Sequence, residues 1–255
     1  MNMVLWLSPL NGRRFCFAKL SSTIPRGVVI IIIHTVLFDL DGTLLDTLGD
    51  LTDSVNDVMR SYGLPLHDTE NVRTFIGNGI AKLMERAMPA LTPKDVLAES
   101  IEKFRTFYQV NQCRRTQPYI GIPQMLSVLL QAGYGLGVVS NKYEEAAIKL
   151  CTHFFGNTFG TVLGDMPERP KKPSPDGVLE AIRRLNGCTA ESIYIGDSET
   201  DVQTAKQAGI PCIGVSWGFR GRNVLTAAGA DFIVDKPEDI LQLLSKLRRH
   251  DGNTI

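Results

Sequence analysis

The sequence predicts an α/β fold, a parallel sheet with helices on both faces and an all-helical block set in after the first strand. Three observations carry this. A run of β-branched and aliphatic residues, 28–33, continuing through Val36, Leu37 and Phe38, has the unbroken apolar character of a strand buried on both faces. From Tyr119 onward, short apolar runs alternate with helical stretches, the βα alternation that gives a parallel sheet. Between these two regions only helical periodicity is found.

At 255 residues the chain suffices for one large domain or one domain with an insertion. Basic and acidic residues balance at 27 each, a formal net charge of +0, so no global field gathers nucleic acid or an anionic membrane. Neither partner is expected, and any anion site must be local. The cysteines, Cys16, Cys113, Cys151, Cys188 and Cys212, are odd in number, widely spaced and form no C-x-x-C pair. That pattern points away from a disulfide framework or a zinc knuckle and toward a reducing, cytoplasmic compartment. The four histidines show no H-x-x-x-H spacing, which leaves hard oxygen ligands for any metal.

Residues 1–27 carry Arg13, Arg14, Lys19 and Arg26 and no acid, and are read as a disordered N-terminal extension. The apolar run 28–33 is too short for a bilayer, which needs about 20 residues. After Asp46 the pattern turns helical: Leu51, Val55, Val58, Met59 and Tyr62 recur at three-to-four spacing until Gly63 and Pro65 stop them. Helices are expected over 69–76 and 78–88. Thr92-Pro93-Lys94-Asp95, a capping Thr followed by Pro, opens a long helix through Phe104, Phe107 and Tyr108. Met84, Met88 and these aromatics fall at helical spacing and read as core, and His153 and Trp217 as packing residues. The helical block spans 49–117, and the sheet-forming part 28–48 and 118–255. Beyond it come a helix over 123–132, the strand G-L-G-V-V-S, a helix over 144–153 and the strand T-V-L-G. Ser174-Pro175 starts a further helix through Leu185; then come the strand S-I-Y-I-G, a helix over 200–208, and the strands I-P-C-I-G-V and F-I-V.

The first strand ends in Asp39-Leu40-Asp41-Gly42-Thr43. In extended backbone Asp39 and Asp41 point the same way, with Leu40 turned to the core. Two carboxylates at the carboxyl end of a buried strand are costly unless a cation pairs with them, and that edge of an open α/β sheet is where ligands bind. A metal and an anionic substrate both fit there. Three more strands lead into polar groups: Ser140-Asn141-Lys142, Lys171-Lys172-Pro173 and Gly196-Asp197-Ser198 with Asp201. In a parallel sheet these ends share one edge, so hydroxyl, amide, ammonium and carboxylate surround Asp39.

The motifs D-L-D-G-T, V-V-S-N, K-P and G-D-S-x-x-D, in this order, resemble those of phosphatases of the haloacid dehalogenase superfamily, over about residues 28–247. The resemblance implies a Rossmann-like core with a small helical cap inserted after the first strand. The cap segment V-R-T-F-I-G-N-G-I-A-K-L-M-E-R-A-M, with G-V-S-W-G-F at 214–219, is similar to that of phosphoglycolate phosphatases. A magnesium-dependent (Mg2+) phosphomonoesterase acting on a small phosphorylated metabolite, 2-phosphoglycolate, is then expected, as a monomer or homodimer. Asp39 is implied as nucleophile, forming an aspartyl-phosphate, and Asp41 as general acid and base. The ion would be held by Asp39, Asp197 and Asp41, the last through its backbone carbonyl. Thr43, Ser140, Asn141 and Lys172 would bind phosphate, with Lys172 preferred to Lys171 because it directly precedes Pro173. Asp201 would orient Lys172 or the metal site. In the cap, Arg73, Gly77, Asn78 and Gly79 would meet the non-phosphate end, a helix N-terminus at Asn78 suiting a carboxylate. A β-phosphoglucomutase, pyrophosphatase or nucleotidase would use the same scaffold, and a binding module without turnover would keep the fold. Tyr119 followed by Ile120, where this subfamily often has Pro, departs from the pattern.

Overall fold

A computed structural model describes residues 33–248, so the N-terminal extension and the start of the first apolar run lie outside the described residues. Six strands form one parallel sheet in the order β5-β4-β1-β6-β7-β8: β1 (Thr35–Phe38), β4 (Gly135–Tyr143), β5 (Thr161–Asp165), β6 (Ser192–Gly196), β7 (Cys212–Val215) and β8 (Phe232–Val234). The first strand lies near the middle because it is buried on both faces. Val36 and Phe38 pack with α5 (Ile122–Gln131), α6 (Glu144–Phe155) and α10 (Pro237–Arg248), through Leu126, Leu150 and Leu244. Leu37 turns to the opposite layer, against α7 (Asp176–Arg184), α8 (Glu199–Ala208) and α9 (Gly221–Ala228), through Ile182, Val202 and Leu225. Alternate side chains of one strand thus feed two cores, as the unbroken apolar run requires.

Between β1 and β4 the chain leaves the sheet through β2 (Leu45–Asp46) and returns through β3 (Gln117–Pro118), which pair antiparallel. The excursion holds α1 (Leu48–Ser61), α2 (Thr69–Phe75), α3 (Ile80–Ala87) and α4 (Lys94–Asn111). These helices bury a third core of Val55, Val58, Met59, Val72, Met84 and Phe104. Asp50, fully buried at the start of α1, ties the two connecting segments together. Its carboxylate accepts the backbone N–H of Arg115 (2.9 and 3.1 Å) and of Thr116 (2.9 Å). A buried carboxylate is tolerated here because backbone donors replace its water.

Three local expectations are corrected. The helix predicted from Asn78 begins at Ile80, because Gly79 takes φ +83°, outside helical backbone. Thr92 does not cap α4: its hydroxyl donates to the Pro89 carbonyl (2.7 Å). The helix predicted from Thr200 starts one residue earlier, behind a reciprocal cap between Ser198 and Asp201. α9 and α10 were not among the predicted elements.

Candidate active site

Register brings the polar strand ends together. Phe38 is level with Val138 of β4 and Ile195 of β6. Asp39, Ser140 and Asp197 therefore emerge side by side, with the Asp39 N–H still bonded to the Ile195 carbonyl (2.8 Å). The carboxylates of Asp39, Asp197 and Asp201 lie within 4.8 Å of one another, all buried. One ammonium joins two of them: Lys172 Nζ is 3.0 Å from Asp39 Oδ1 and 2.7 Å from Asp201 Oδ1. It also donates to the Tyr194 hydroxyl (3.1 Å), which donates onward to the Val139 carbonyl (2.6 Å). Leu40 N–H reaches the same Asp39 oxygen at 2.7 Å, fixing the plane of the carboxylate. The second oxygen of Asp201 accepts from Ser198 N (3.0 Å) and Oγ (2.7 Å). Asp197 accepts the Phe219 N–H at 2.7 Å.

Charge in this cluster is unbalanced. Burial pushes the Asp39 carboxyl up to about 6; Lys172 pulls it down, while Asp201 and Asp41 push it further up. Burial raises Asp197 well above the usual carboxylate range, and Asp201 and Asp39 add to this. For Lys172 burial works against the charge, but Asp201 and Asp39 hold the ammonium well above its ordinary value. Hard oxygen donors with surplus negative charge fit a divalent cation. Asp39 and Asp197 are the donors available to it, since Asp201 is committed to Lys172 and Ser198. Two glycines let the loops close on this spot. Gly42 has φ +81°, and a Cβ there would lie 2.4 Å from Asp197 Oδ2; at Gly218 it would lie 2.3 Å from Asp197 Cβ.

The Asp41 carboxylate is not part of the cluster. It faces Lys142, whose Nζ lies 2.9 and 3.1 Å from its two oxygens and 4.4 Å from the Tyr108 ring centre in α4. Asp41, Lys142, Tyr108, Ser140, Gly77 and Gly79 are among the residues lining a cavity of about 70 Å³ between the helical block and the strand ends, with Asp39 and Lys172 at its floor. Ser140, whose hydroxyl accepts the Lys142 N–H at 3.3 Å, stands beside Asp39. Asn141 also lines the cavity, with its side-chain amide engaged by the protein itself. It clasps the Lys172 backbone (N–H to Oδ1 2.8 Å, Nδ2 to carbonyl 3.0 Å) and reaches the Gly77 carbonyl across the cavity's rim (3.3 Å).

Other expected site residues stand apart. Thr43 does not line the cavity; its hydroxyl makes a long contact to Asp197 (3.4 Å), because the turn at Gly42 aims it beneath the carboxylate. Lys171 pairs with Asp165 (2.8 Å) at the surface. Asn78 and Arg73 also lie off the cavity wall: Asn78 Oδ1 accepts from Arg86 (2.8 Å), and Arg73 pairs with Glu70 (3.1 Å) along its own helix. Tyr108, expected as core, lines the cavity, and Lys142 and Arg220 are contributors that the motif reading passed over. Arg220 Nη1 donates to the Arg73 carbonyl (3.0 Å) and Nη2 to that of Ile76 (2.5 Å), at the end of α2.

Comparison with known proteins supports this arrangement. Residues 36–215 match the family model of haloacid dehalogenase-like hydrolases. A phosphoglycolate phosphatase of Aquifex aeolicus is 32% identical over 213 residues, covering 83% of this chain and 96% of the relative. One from Mesorhizobium japonicum is 35% identical, covering 74% and 85%. Among solved structures, a predicted phosphoglycolate phosphatase from Haemophilus somnus superposes with a TM-score of 0.78 at 28% identity, covering 83% and 97%. CbbY of Rhodobacter sphaeroides, solved in complex with phosphate, does so at 0.67 and 26%, covering 82% and 96%. A core matched across most of its length, with acids and a lysine meeting at the same sheet edge, leaves one assignment: the chain belongs to the haloacid dehalogenase-like hydrolases.

Proposed function

We propose that the chain hydrolyses 2-phosphoglycolate, as a magnesium-dependent phosphomonoesterase working through an aspartyl-phosphate on Asp39. The observation that carries this reading is the Lys172 ammonium shared between Asp39 and Asp201 at the floor of a cavity that Asp41 overlooks. The names of the Aquifex and Mesorhizobium relatives supply the substrate.

Asp39 attacks phosphorus through a carboxylate oxygen and the ester P–O bond breaks, the alkoxide leaving group taking a proton from Asp41. A water then gives its proton to Asp41 and attacks phosphorus, the bond to Asp39 breaks, and inorganic phosphate leaves. Lys172 neutralises charge on the phosphoryl oxygens, and its partners Asp201 and Tyr194 hold it there before substrate arrives. Ser140 and the backbone that follows it donate to the phosphoryl group. Asp39, Asp197 and the Asp41 carbonyl would hold Mg2+, which, when bound, relieves repulsion between the attacking carboxylate and the phosphoryl dianion. The helical block, residues 49–117, acts as a cap that keeps bulk water from the intermediate, over a core of residues 28–48 and 118–255. No helix among the described residues is long and apolar enough to cross a membrane. Cys113, Cys151 and Cys212 are free thiols but Cys188 is disulfide-bonded, contrary to the expectation of no disulfide, so the cysteines lend no support to a cytoplasmic location.

Phosphate release from 2-phosphoglycolate, pyrophosphate, nucleotides and sugar phosphates, with magnesium or EDTA, tests the reading. Magnesium-dependent preference for 2-phosphoglycolate, abolished in Asp39→Asn, is expected. Preference for another ester would refute the substrate and spare the chemistry.

A further inference from the structure

We infer that Lys142 and the Tyr108 hydroxyl form the subsite that receives a negatively charged leaving group, so that the protein selects phosphate esters of small hydroxy acids over those of neutral alcohols. The inference rests on the phosphatase reading and gives it a recognition element in this chain. Three cationic side chains line the cavity among the described residues. Lys172 is engaged by Asp39, Asp201 and Tyr194, and Arg220 by the carbonyls of Arg73 and Ile76. Lys142 has one anionic partner, Asp41, and its side chain is 5% exposed. Much of the wall around it is apolar, with Leu51, Ile80, Leu83 and Phe104. Beside it the Tyr108 hydroxyl is buried; its hydrogen-bonding neighbour is Lys142, itself a donor, so the hydroxyl's own proton has no acceptor. A buried hydroxyl without an acceptor forfeits part of its hydration, and a buried ammonium needs a counter-charge.

Asp41 meets Lys142 with both carboxylate oxygens, at 2.9 and 3.1 Å, and the lysine also lines the cavity. A carboxylate on the leaving group adds a second counter-charge to this ammonium and gives the Tyr108 hydroxyl an acceptor. A neutral alcohol brings no charge to the ammonium. The cavity's size, about 70 Å³, favours a leaving group of only a few heavy atoms, well below the 300–1,000 Å³ of pockets for larger ligands. Asn78, the cap residue expected to meet the carboxylate, is held by Arg86 and lies off the cavity wall.

The test compares 2-phosphoglycolate with 2-phosphoglycolamide and ethyl phosphate, which keep the phosphate ester but carry no charge on the leaving group. Phosphate release at saturating magnesium is followed in the wild type, Tyr108→Phe, Lys142→Met and Lys142→Arg. The wild type is expected to favour the charged ester in kcat/KM by about 10- to 100-fold, the span of a hydrogen bond to a charged group. Tyr108→Phe lowers that ratio, mainly through KM; Lys142→Met brings it close to one; Lys142→Arg restores part of it. Loss of Asp41 positioning alone would slow all three esters and leave the ratio where it was. Where Lys142→Met fails to fold, Tyr108→Phe, which removes a single atom, decides the matter. Equal use of charged and neutral esters by the wild type, or a ratio unmoved in the variants, overturns the subsite while hydrolysis of ethyl phosphate keeps the phosphatase reading standing. No phosphate released from any ester by the wild type overturns both.

Discussion

Replacing Asp39 with Asn should make the metal-free protein more stable at neutral pH, although it removes the proposed nucleophile. In the fold this carboxyl ionises at about 6 instead of its ordinary 3.8, chiefly because burial disfavours the charged form. An acid whose folded pKa is raised binds its proton more tightly in the native state than in the unfolded chain. The contribution of this carboxyl to native stability is then greatest below 3.8, declines as the pH climbs from 3.8 through 6, and is level above. The total loss is about two pH units at about 1.4 kcal/mol each, or about 3 kcal/mol. Asparagine keeps an acceptor for Leu40 N–H and Lys172 but has no charge to desolvate, so it escapes the loss. For a domain of this size the gain corresponds to a Tm higher by about 6–12 °C. Thermal unfolding of both proteins in EDTA, at pH 4, 6 and 8, measures it. The advantage of Asp39→Asn should be small at pH 4, grow to pH 6 and hold at pH 8, and saturating magnesium should narrow it by stabilising the wild type. A variant no more stable than the wild type at pH 8 in EDTA, or an advantage independent of pH, would refute the reasoning.

Further outcomes follow from the same geometry. Asp41→Asn should lower kcat/KM, which reports phosphoryl transfer to Asp39, by about 10²- to 10⁴-fold on alkyl phosphates, with a much smaller loss on p-nitrophenyl phosphate, whose leaving group departs without a proton, while kcat falls on both because Asp41 also takes the proton of the attacking water; equal losses in kcat/KM would remove Asp41 as the acid. Gly42→Ala places a methyl at φ +81° and 2.4 Å from Asp197 Oδ2. That variant should lose the rise in Tm that magnesium confers on the wild type, and an unchanged rise would show that the loop yields. Asp50→Ala strips acceptors from the buried N–H groups of Arg115 and Thr116 and should cost about 2–6 kcal/mol in urea unfolding, each orphaned donor contributing about 1–3.

The sheet was legible in the sequence because an apolar run buried on both faces leaves no room for another reading. The cluster at its edge was legible because polar groups at three successive strand ends share an edge in any parallel sheet. Side-chain direction within tight turns was not: Thr43 follows the glycine turn beneath Asp197, and spacing cannot say whether its hydroxyl faces up or down. Lys142 closes a Ser-Asn-Lys run that also suits a solvated helix start, and its partner, Asp41, lies 101 residues away. Tyr108 sits at core spacing in α4 and does pack in that core, while also lining the cavity with the Lys142 ammonium over its ring. α10 carried a signal that was readable, Pro237 followed by Glu238, Asp239 and apolar residues at helical spacing. α9, opening at Gly221 with φ +74° and running eight residues, carried little.

Arg220 donates to the last carbonyls of α2, the positions where a helix leaves its oxygens without internal partners. Those oxygens and the guanidinium are equally content in water, so separating them trades protein hydrogen bonds for solvent ones at a net cost of about 1 kcal/mol each. Asp50, whose backbone donors are buried, has no such exchange available. The fastening on the cavity side is thus cheap to undo and the one at the connecting segments is not. Parting the helical block from the strand ends on the cavity side therefore costs less than parting it at the connecting segments, where each lost bond leaves a buried group without a partner.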